Sequence, residues 1–338
     1  MTTPGPHNAI TDIDGLEVGQ AQDARARTGV TVLHARRPVK AAIDVRGGGP
    51  GTRESDALAP GGLVGEVDAI VLSGGSVYGL AAADGVCAAL GAKGRGFALA
   101  DLPGVPASPI VPAAILYDLA NGGDKAWGEH PPYRALGVEA LSAASAGAVR
   151  LGRAGAGYGA RAGTDAGGTG SASAITRDGY GVGALVCVNS FGAVCIPGTD
   201  AFWAHPFEID GEFGGARPPA NHRFDPQDWG AAKLDPRPGG NTTIAIVATD
   251  AALDRDGLRR LAVMAQDGLA RAIRPVHSPF DGDVVFAVST GARPLAEPAA
   301  LTIARLGALA ADTLARAVAR GVYEAGRQSG EPGSARSC

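Results

Sequence analysis

The apolar positions of this chain form two kinds of run. Residues 69–72, 180–189 and 243–249 are near-continuous stretches of β-branched and small residues, the pattern of strands covered on both faces. Residues 9–20 read as a turn leading into a strand, and 28–33 and 41–45 as two more strands. Residues 192–196 read as a strand paired with 180–189 around Ser190-Phe191-Gly192, and 283–289 as another strand. The second kind has helical spacing. Leu258, Leu261, Ala262, Ala265, Leu269 and Ala272 share one helix face, with Asp254 placed to cap it. Shorter helices are expected over 78–90 and 136–146. A long one is expected over 298–323, opening on a proline, with Arg305, Asp312, Arg316 and Arg320 on its wetter side. Between the halves, residues 198–240 turn rich in Pro, Gly, Asp and Asn and read as an exposed or partly ordered loop. The pattern predicts a layered α/β protein with two central sheets and outer helices.

Composition narrows the function classes. With 45% hydrophobic residues over 338 positions the chain has material for a large core, too apolar for disorder. The net charge of −4 and the lack of a basic cluster argue against nucleic acid or an anionic membrane as partner. There is no leader-like start and no apolar run of about 18 residues, so a soluble, cytoplasmic protein is expected. Cys87, Cys187, Cys195 and Cys338 and the six histidines follow no metal-ligand spacing, so no metal is expected. Gly155-Ala156-Gly157-Tyr158-Gly159 does not complete a dinucleotide fingerprint and no P-loop is present, so no cofactor is expected. Ser73-Gly74-Gly75-Ser76, between a strand and a helix, is either a backbone donor pair or a close-packed turn.

The chemistry concentrates at Gly239-Gly240-Asn241-Thr242-Thr243, where a flexible Gly-Gly meets the start of a buried strand. The Thr242 hydroxyl can attack the peptide bond before it, and the α-amine released can then serve as its general base. Read alone, the same residue is equally a strand threonine after a glycine turn. Asp281 and Asp283 in Asp281-Gly282-Asp283 point to one side if extended; they are either a carboxylate pair supporting a nucleophile or a capped turn. Asn189 at a strand end is an oxyanion donor or a turn asparagine. Tyr117 is a substrate hydrogen-bond donor or a core tyrosine.

These pieces together resemble a family. Ile10-Thr11-Asp12-Ile13-Asp14-Gly15, Asp44-Val45-Arg46-Gly47-Gly48, Gly51-Thr52-Arg53-Glu54, Leu72-Ser73-Gly74-Gly75-Ser76, Gly152-Arg153-Ala154-Gly155-Ala156-Gly157, Val188-Asn189, Gly240-Asn241-Thr242-Thr243 and Asp281-Gly282-Asp283 occur in its order. The chain is similar over nearly its whole length to the N-terminal-nucleophile peptidases that include the L-aminopeptidase/D-esterase, the β-peptidyl aminopeptidases and the nylon-oligomer endo-hydrolase. The resemblance implies one hydrolase domain with a four-layer αββα fold. It implies cleavage at Asn241-Thr242 into chains 1–241 and 242–338, and assembly of these heterodimers into a homo-oligomer of tetramer size or larger. Carried over by position, Thr242 is the nucleophile, Asp281 and Asp283 the supporting acids, Asn189 the oxyanion donor and Tyr117 the site tyrosine.

The aminopeptidase members use a serine nucleophile and an acidic residue two places before the tyrosine; here Thr242 and Ile115 stand there, as in the nylon hydrolase branch. That favours hydrolysis of linear oligoamides or peptides. An aminopeptidase or D-esterase activity, and a weakly catalytic ligand-binding relative, are the alternatives. One departure stands out. The nylon hydrolase has a lysine where this chain has Thr164, and neighbouring Arg161 cannot act as a base.

Overall fold

Side-chain alternation along the strands decides how the layers stack. A computed structural model describes residues 2–98, 100, 102–233 and 240–329. Its strands are β1 (Leu16–Asp23), β2 (Thr28–Val45), β3 (Thr52–Arg53), β4 (Glu66–Ser73), β5 (Ala113–Ile115), β6 (Arg161–Ala162), β7 (Asp165–Ala166), β8 (Gly168–Ile175), β9 (Gly181–Asn189), β10 (Thr242–Ala251) and β11 (Val284–Arg293). Its α-helices are α1 (Ala81–Gly91), α2 (Tyr133–Ser142), α3 (Arg255–Ala272) and α4 (Ala299–Ser329).

Ile244, Ile246 and Ala248 of β10 and Val284, Phe286 and Val288 of β11 join Leu33, Ile70 and Leu72 in a central core. The alternate residues Ala245, Val247, Val285 and Ala287 pack on Leu261, Leu269, Leu314 and Val318 of α3 and α4. On the far side Val30, Val32 and Val71 meet Val86, Leu90, Leu136 and Leu141 of α1 and α2. Three such cores separate four layers, α3/α4, sheet, sheet and α1/α2, the αββα arrangement expected. Period-two alternation fixes this, because a slip of one residue would exchange the two faces of every strand.

The two sheets share one strand. The segments expected at 28–33 and 41–45 form the single 18-residue β2, which pairs with β1 and β4 through its first part and with β11 through Lys40–Val45. Its register against β4 shifts between His34 and Val39, around Pro38, which has no N–H for a ladder. The hydrogen-bonded order is therefore continuous, β3-β5-β4-β2-β11-β10-β9-β8, with β1 on β2.

Three expectations are corrected. The partner of β9 is β8, not residues 192–196, which make only isolated bridges at Ala193 and Cys195. β8 reads Gly-Thr-Gly-Ser-Ala-Ser-Ala-Ile because α4 lies on it so closely that a Cβ on Gly170 would meet the carbonyl of Ala317. The wet side of the last helix is covered: buried Arg316 pairs with Glu212 and bonds Asn8, and Arg320 reaches Glu212 too. The segment at 198–240 is only partly exposed. Phe202, Ala204 and Phe213 are buried in the helix-side core, while residues 234–239 lie outside the described residues. The Asp254 cap holds, its carboxylate accepting the Gly257 N–H at 2.8 Å. No described helix is long and apolar enough to cross a membrane.

Candidate active site

Strand register brings the expected residues together. In the antiparallel β9–β10 ladder Asn189 lies directly opposite Thr242. On the other edge of β10, Asn241 bridges Asp281, and the parallel β10–β11 ladder starts three residues on. The even spacing that sends Ile244 and Ile246 to the central core also turns Thr242 inward, and Thr242 is buried.

The bond before Thr242 is gripped from several sides. The Thr242 hydroxyl donates to the carbonyl oxygen of Asn241. The same oxygen accepts the Gly282 N–H at 2.9 Å. The Asp283 carboxylate accepts the Thr243 N–H at 2.7 Å, and its second oxygen accepts the His277 N–H at 3.1 Å and lies 2.8 Å from His277 Nδ1. Asp281 accepts Phe191 N–H at 3.1 Å and Ser278 N–H at 3.0 Å. Burial, and then the neighbouring Asp283, raise the pKa of Asp281 above the ordinary carboxylate range, against these donors. The two carboxylates thus have different surroundings, the condition for separate proton roles.

Gly282 between them has a steric reason. A Cβ there would lie 2.7 Å from Thr242 Oγ and 2.6 Å from the Gly49 carbonyl. Gly282→Ala is expected to displace the hydroxyl and slow any reaction at it by about 100-fold, the scale of an ångström-sized misplacement. Stopped time points on denaturing gels check this.

Asn189 is held in one orientation. Its Oδ1 accepts the Arg161 N–H at 2.9 Å, and its Nδ2 donates to the Tyr117 carbonyl at 2.9 Å and weakly to Gly240 at 3.5 Å. Tyr117 therefore contributes its backbone here, while its half-buried side chain lines the adjoining cavity. That cavity, about 440 Å³, is lined by Tyr117, Asp118, Arg161, Thr164, Lys233 and Asn241 among others. Ile115 is buried against Gly51 and does not line it.

Lys233 escaped the sequence reading. It reaches in from the 198–240 segment and donates to Asn241 Oδ1 at 2.7 Å. Its backbone is fixed by the Phe191 carbonyl at 3.1 Å, and nearby Ala231 accepts the Thr164 N–H at 2.7 Å. Position 164 is thus tied to the very loop that carries a lysine. Burial lowers the Lys233 pKa to about 7; Asp281 opposes that shift and Arg161 adds to it. The available signal was compositional: the chain has only four lysines, Lys40, Lys93, Lys125 and Lys233, and one stands nine residues before Thr242.

The glycine-rich loops are closed turns. The N–H groups of Gly74 and Gly75 are taken by Gly29 and Asp118, and those of Ala156 and Gly157 bond Thr31 and Thr169. None of these donors is left for a phosphate. Among the described residues no group of His, Cys, Asp and Glu could hold a metal.

Comparison with known proteins gives this arrangement a family. The family model for peptidase family S58 matches residues 8–336. The chain belongs to peptidase family S58. A protein of Mycobacterium tuberculosis named as an uncharacterized aminopeptidase is 44% identical over 347 residues, covering 96% of each chain. The 6-aminohexanoate-oligomer endohydrolase of a Kocuria species is 32% identical over 289 residues, covering 82% of this chain and 74% of that protein. The structure of a Burkholderia β-aminopeptidase superposes with a TM-score of 0.67 at 25% identity, over 95% of this chain and 88% of that one. The Ochrobactrum anthropi L-aminopeptidase D-Ala-esterase/amidase, described as a variant of the Ntn hydrolase fold, shares the fold with a TM-score of 0.64 at 21% identity, covering 95% and 87%.

Proposed function

We propose that this S58 member is an autoprocessed N-terminal threonine hydrolase that cleaves amide bonds in peptides or linear oligoamides. The observation that carries the reading is the Thr242 hydroxyl lying against the carbonyl of its own preceding bond, with the Gly282 N–H on the same oxygen. In maturation Thr242 Oγ attacks the Asn241 carbonyl carbon. The hydroxyl proton passes to the Thr242 nitrogen as the C–N bond breaks, leaving an ester and a free α-amine. One water hydrolyses the ester, restoring the hydroxyl and leaving a carboxylate on Asn241. In turnover the same oxygen attacks a substrate amide. The α-amine, with a reference pKa of about 7.7–8.0, takes the proton and passes it to the leaving amine; water then releases the acyl group.

The fragments would stay together, because β10 hydrogen-bonds to β9 of the first chain and β11 of the second. The intact mass of purified protein under denaturing conditions tests the reading: fragments of residues 1–241 and 242–338 are expected, and a persistent full-length chain rejects it.

Asn189 serves as the oxyanion donor in this scheme. Its weak second contact is to the Gly240 carbonyl, on the segment that cleavage frees, so one N–H would be released for a substrate beside Thr242. Asn189→Ala is expected to lower kcat by about 10²–10³-fold. Steady-state assays of the processed variant check this.

A second reading, trimming from a free N-terminus, draws support from the name of the mycobacterial relatives. Against it, the cavity-lining carboxylate Asp118 is already occupied. It bonds Thr28 Oγ at 2.6 Å and Gly75 N–H at 2.8 Å, and burial raises its pKa to about 6. Equal cleavage of N-acetylated and free peptides favours the first reading; loss of cleavage on acetylation favours the second.

A further inference from the structure

The uncleaved chain contains its own substrate. If Thr242 cleaves both the Asn241–Thr242 bond and external amides, as the reading above holds, then Gly240-Asn241 occupies the position of a substrate's acyl side. What surrounds Asn241 therefore describes the acyl group the site accepts. Three features of that surrounding stand out.

First, the Asn241 side chain is received by a specific donor, Lys233 Nζ on Oδ1 at 2.7 Å, although no enzyme needs to hold this residue once it is cut away. Second, the Asn241 Nδ2 is buried and has no hydrogen-bond partner among the described residues. The pocket satisfies the oxygen of the side chain and gives nothing to its nitrogen, so it is built for acceptors. Third, the cavity brings Lys233 and Arg161 together, and among the described residues neither has an ion-pair partner within 4.0 Å. Among the described lining residues the one carboxylate, Asp118, is spent on Thr28 and Gly75. Two cationic side chains thus line one cavity of a protein of net charge −4. The chain also continues on the amino side of Asn241 through Gly240, which lines the same cavity. An acyl group with a blocked amine fits where this segment lies.

We propose that the mature site is endo-acting and selects peptides with asparagine or aspartate on the acyl side of the cut, Lys233 being the residue that recognises the side-chain oxygen. A carboxylate gains more from this lysine than an amide does, because its hydrogen bond to the ammonium is charge-assisted at both ends.

The test has two arms on the full-length protein. In the first, processing half-times are measured for Asn241→Asp and Asn241→Leu in the Lys233 and Lys233→Met backgrounds. Asn241→Asp is expected to process at the wild-type rate or faster. Asn241→Leu is expected to be at least about tenfold slower, the size of one charge-assisted hydrogen bond. In the Lys233→Met background the leucine change should add less than about twofold. If Lys233→Met fails to fold by its melting curve, Lys233→Arg takes its place; it keeps a donor and should preserve the order Asn and Asp over Leu.

In the second arm, processed wild type is assayed on acetyl-Gly-Xaa anilides with Xaa as Asn, Asp or Leu. The first two are expected to exceed the third at least about tenfold in kcat/KM. Equal or faster cleavage of the leucine anilide overturns the proposal, as does additivity of the two substitutions. Processed protein that cleaves no anilide overturns it while leaving autoprocessing intact. Protein that never processes overturns the autoprocessing reading along with it.

Discussion

Thr242→Ala is expected to leave a single chain of 338 residues and to reduce amide hydrolysis by about 10⁴-fold or more, because it removes the nucleophile for both maturation and turnover. The fold should survive. Among the described residues the Thr242 hydroxyl donates only to the Asn241 carbonyl, and that oxygen keeps the Gly282 N–H at 2.9 Å. The lost contact is worth about 1 kcal/mol at most, so the melting temperature should move by only a few degrees. An unprocessed variant with near-native melting separates lost chemistry from lost structure. Thr242→Ser keeps a hydroxyl and, after cleavage, an α-amine, so it should process and turn over. A Thr242→Ala chain that is still cut at the same bond would falsify the assignment of the nucleophile.

How much of this was legible beforehand depended on whether a residue's partner was local. Strands β10 and β11 and helix α3 carried their own signals, since two-sided burial and helical periodicity are written along each segment. The site residues Thr242, Asp281, Asp283 and Asn189 were recognisable by motif. What joined them, the register that sets Asn189 opposite Thr242, is a property of paired strands and not of either alone. β8 was missed because close approach of α4 replaced bulky residues by Gly, Ser and Ala, erasing the usual strand composition. Arg316 looked like a surface residue because its partners Asn8 and Glu212 are more than a hundred positions away. Lys233 carries no motif of its own, and its partner Asn241, though only eight residues on, is reached across a segment without helical or strand periodicity. The resemblance to the nylon hydrolase branch points to a lysine at position 164, and this chain brings a lysine to that region from another loop. His277 was one of six scattered histidines until the turn before Asp281 folded it back on Asp283.

That turn makes Asp283 the residue whose loss should damage both structure and function. Its carboxylate is buried and accepts three donors: the Thr243 N–H, the His277 N–H and the His277 ring nitrogen. Asp283→Ala strands them in a dry site. With about 1–3 kcal/mol for each buried unsatisfied donor, and partial relaxation, a loss of about 3–5 kcal/mol of stability is expected. The Thr243 contact is one residue from the nucleophile, so processing should also slow by about 100-fold or more as the start of β10 loses its anchor. Asp283→Asn separates the two effects. Its oxygen can still accept from Thr243, while its NH₂ faces the His277 N–H, so one mismatch remains and about 1–2 kcal/mol is lost. The His277 ring can relieve part of this by turning its unprotonated nitrogen to the new NH₂. Asp283→Asn should therefore melt closer to wild type than Asp283→Ala and process faster than it. The opposite order, with Asn the slower of the two, would show that the carboxylate's charge and not its grip on Thr243 is what the reaction needs. Urea denaturation of unprocessed protein in the Thr242→Ala background gives the stability order without interference from cleavage, and processing half-times in the native background give the kinetic one.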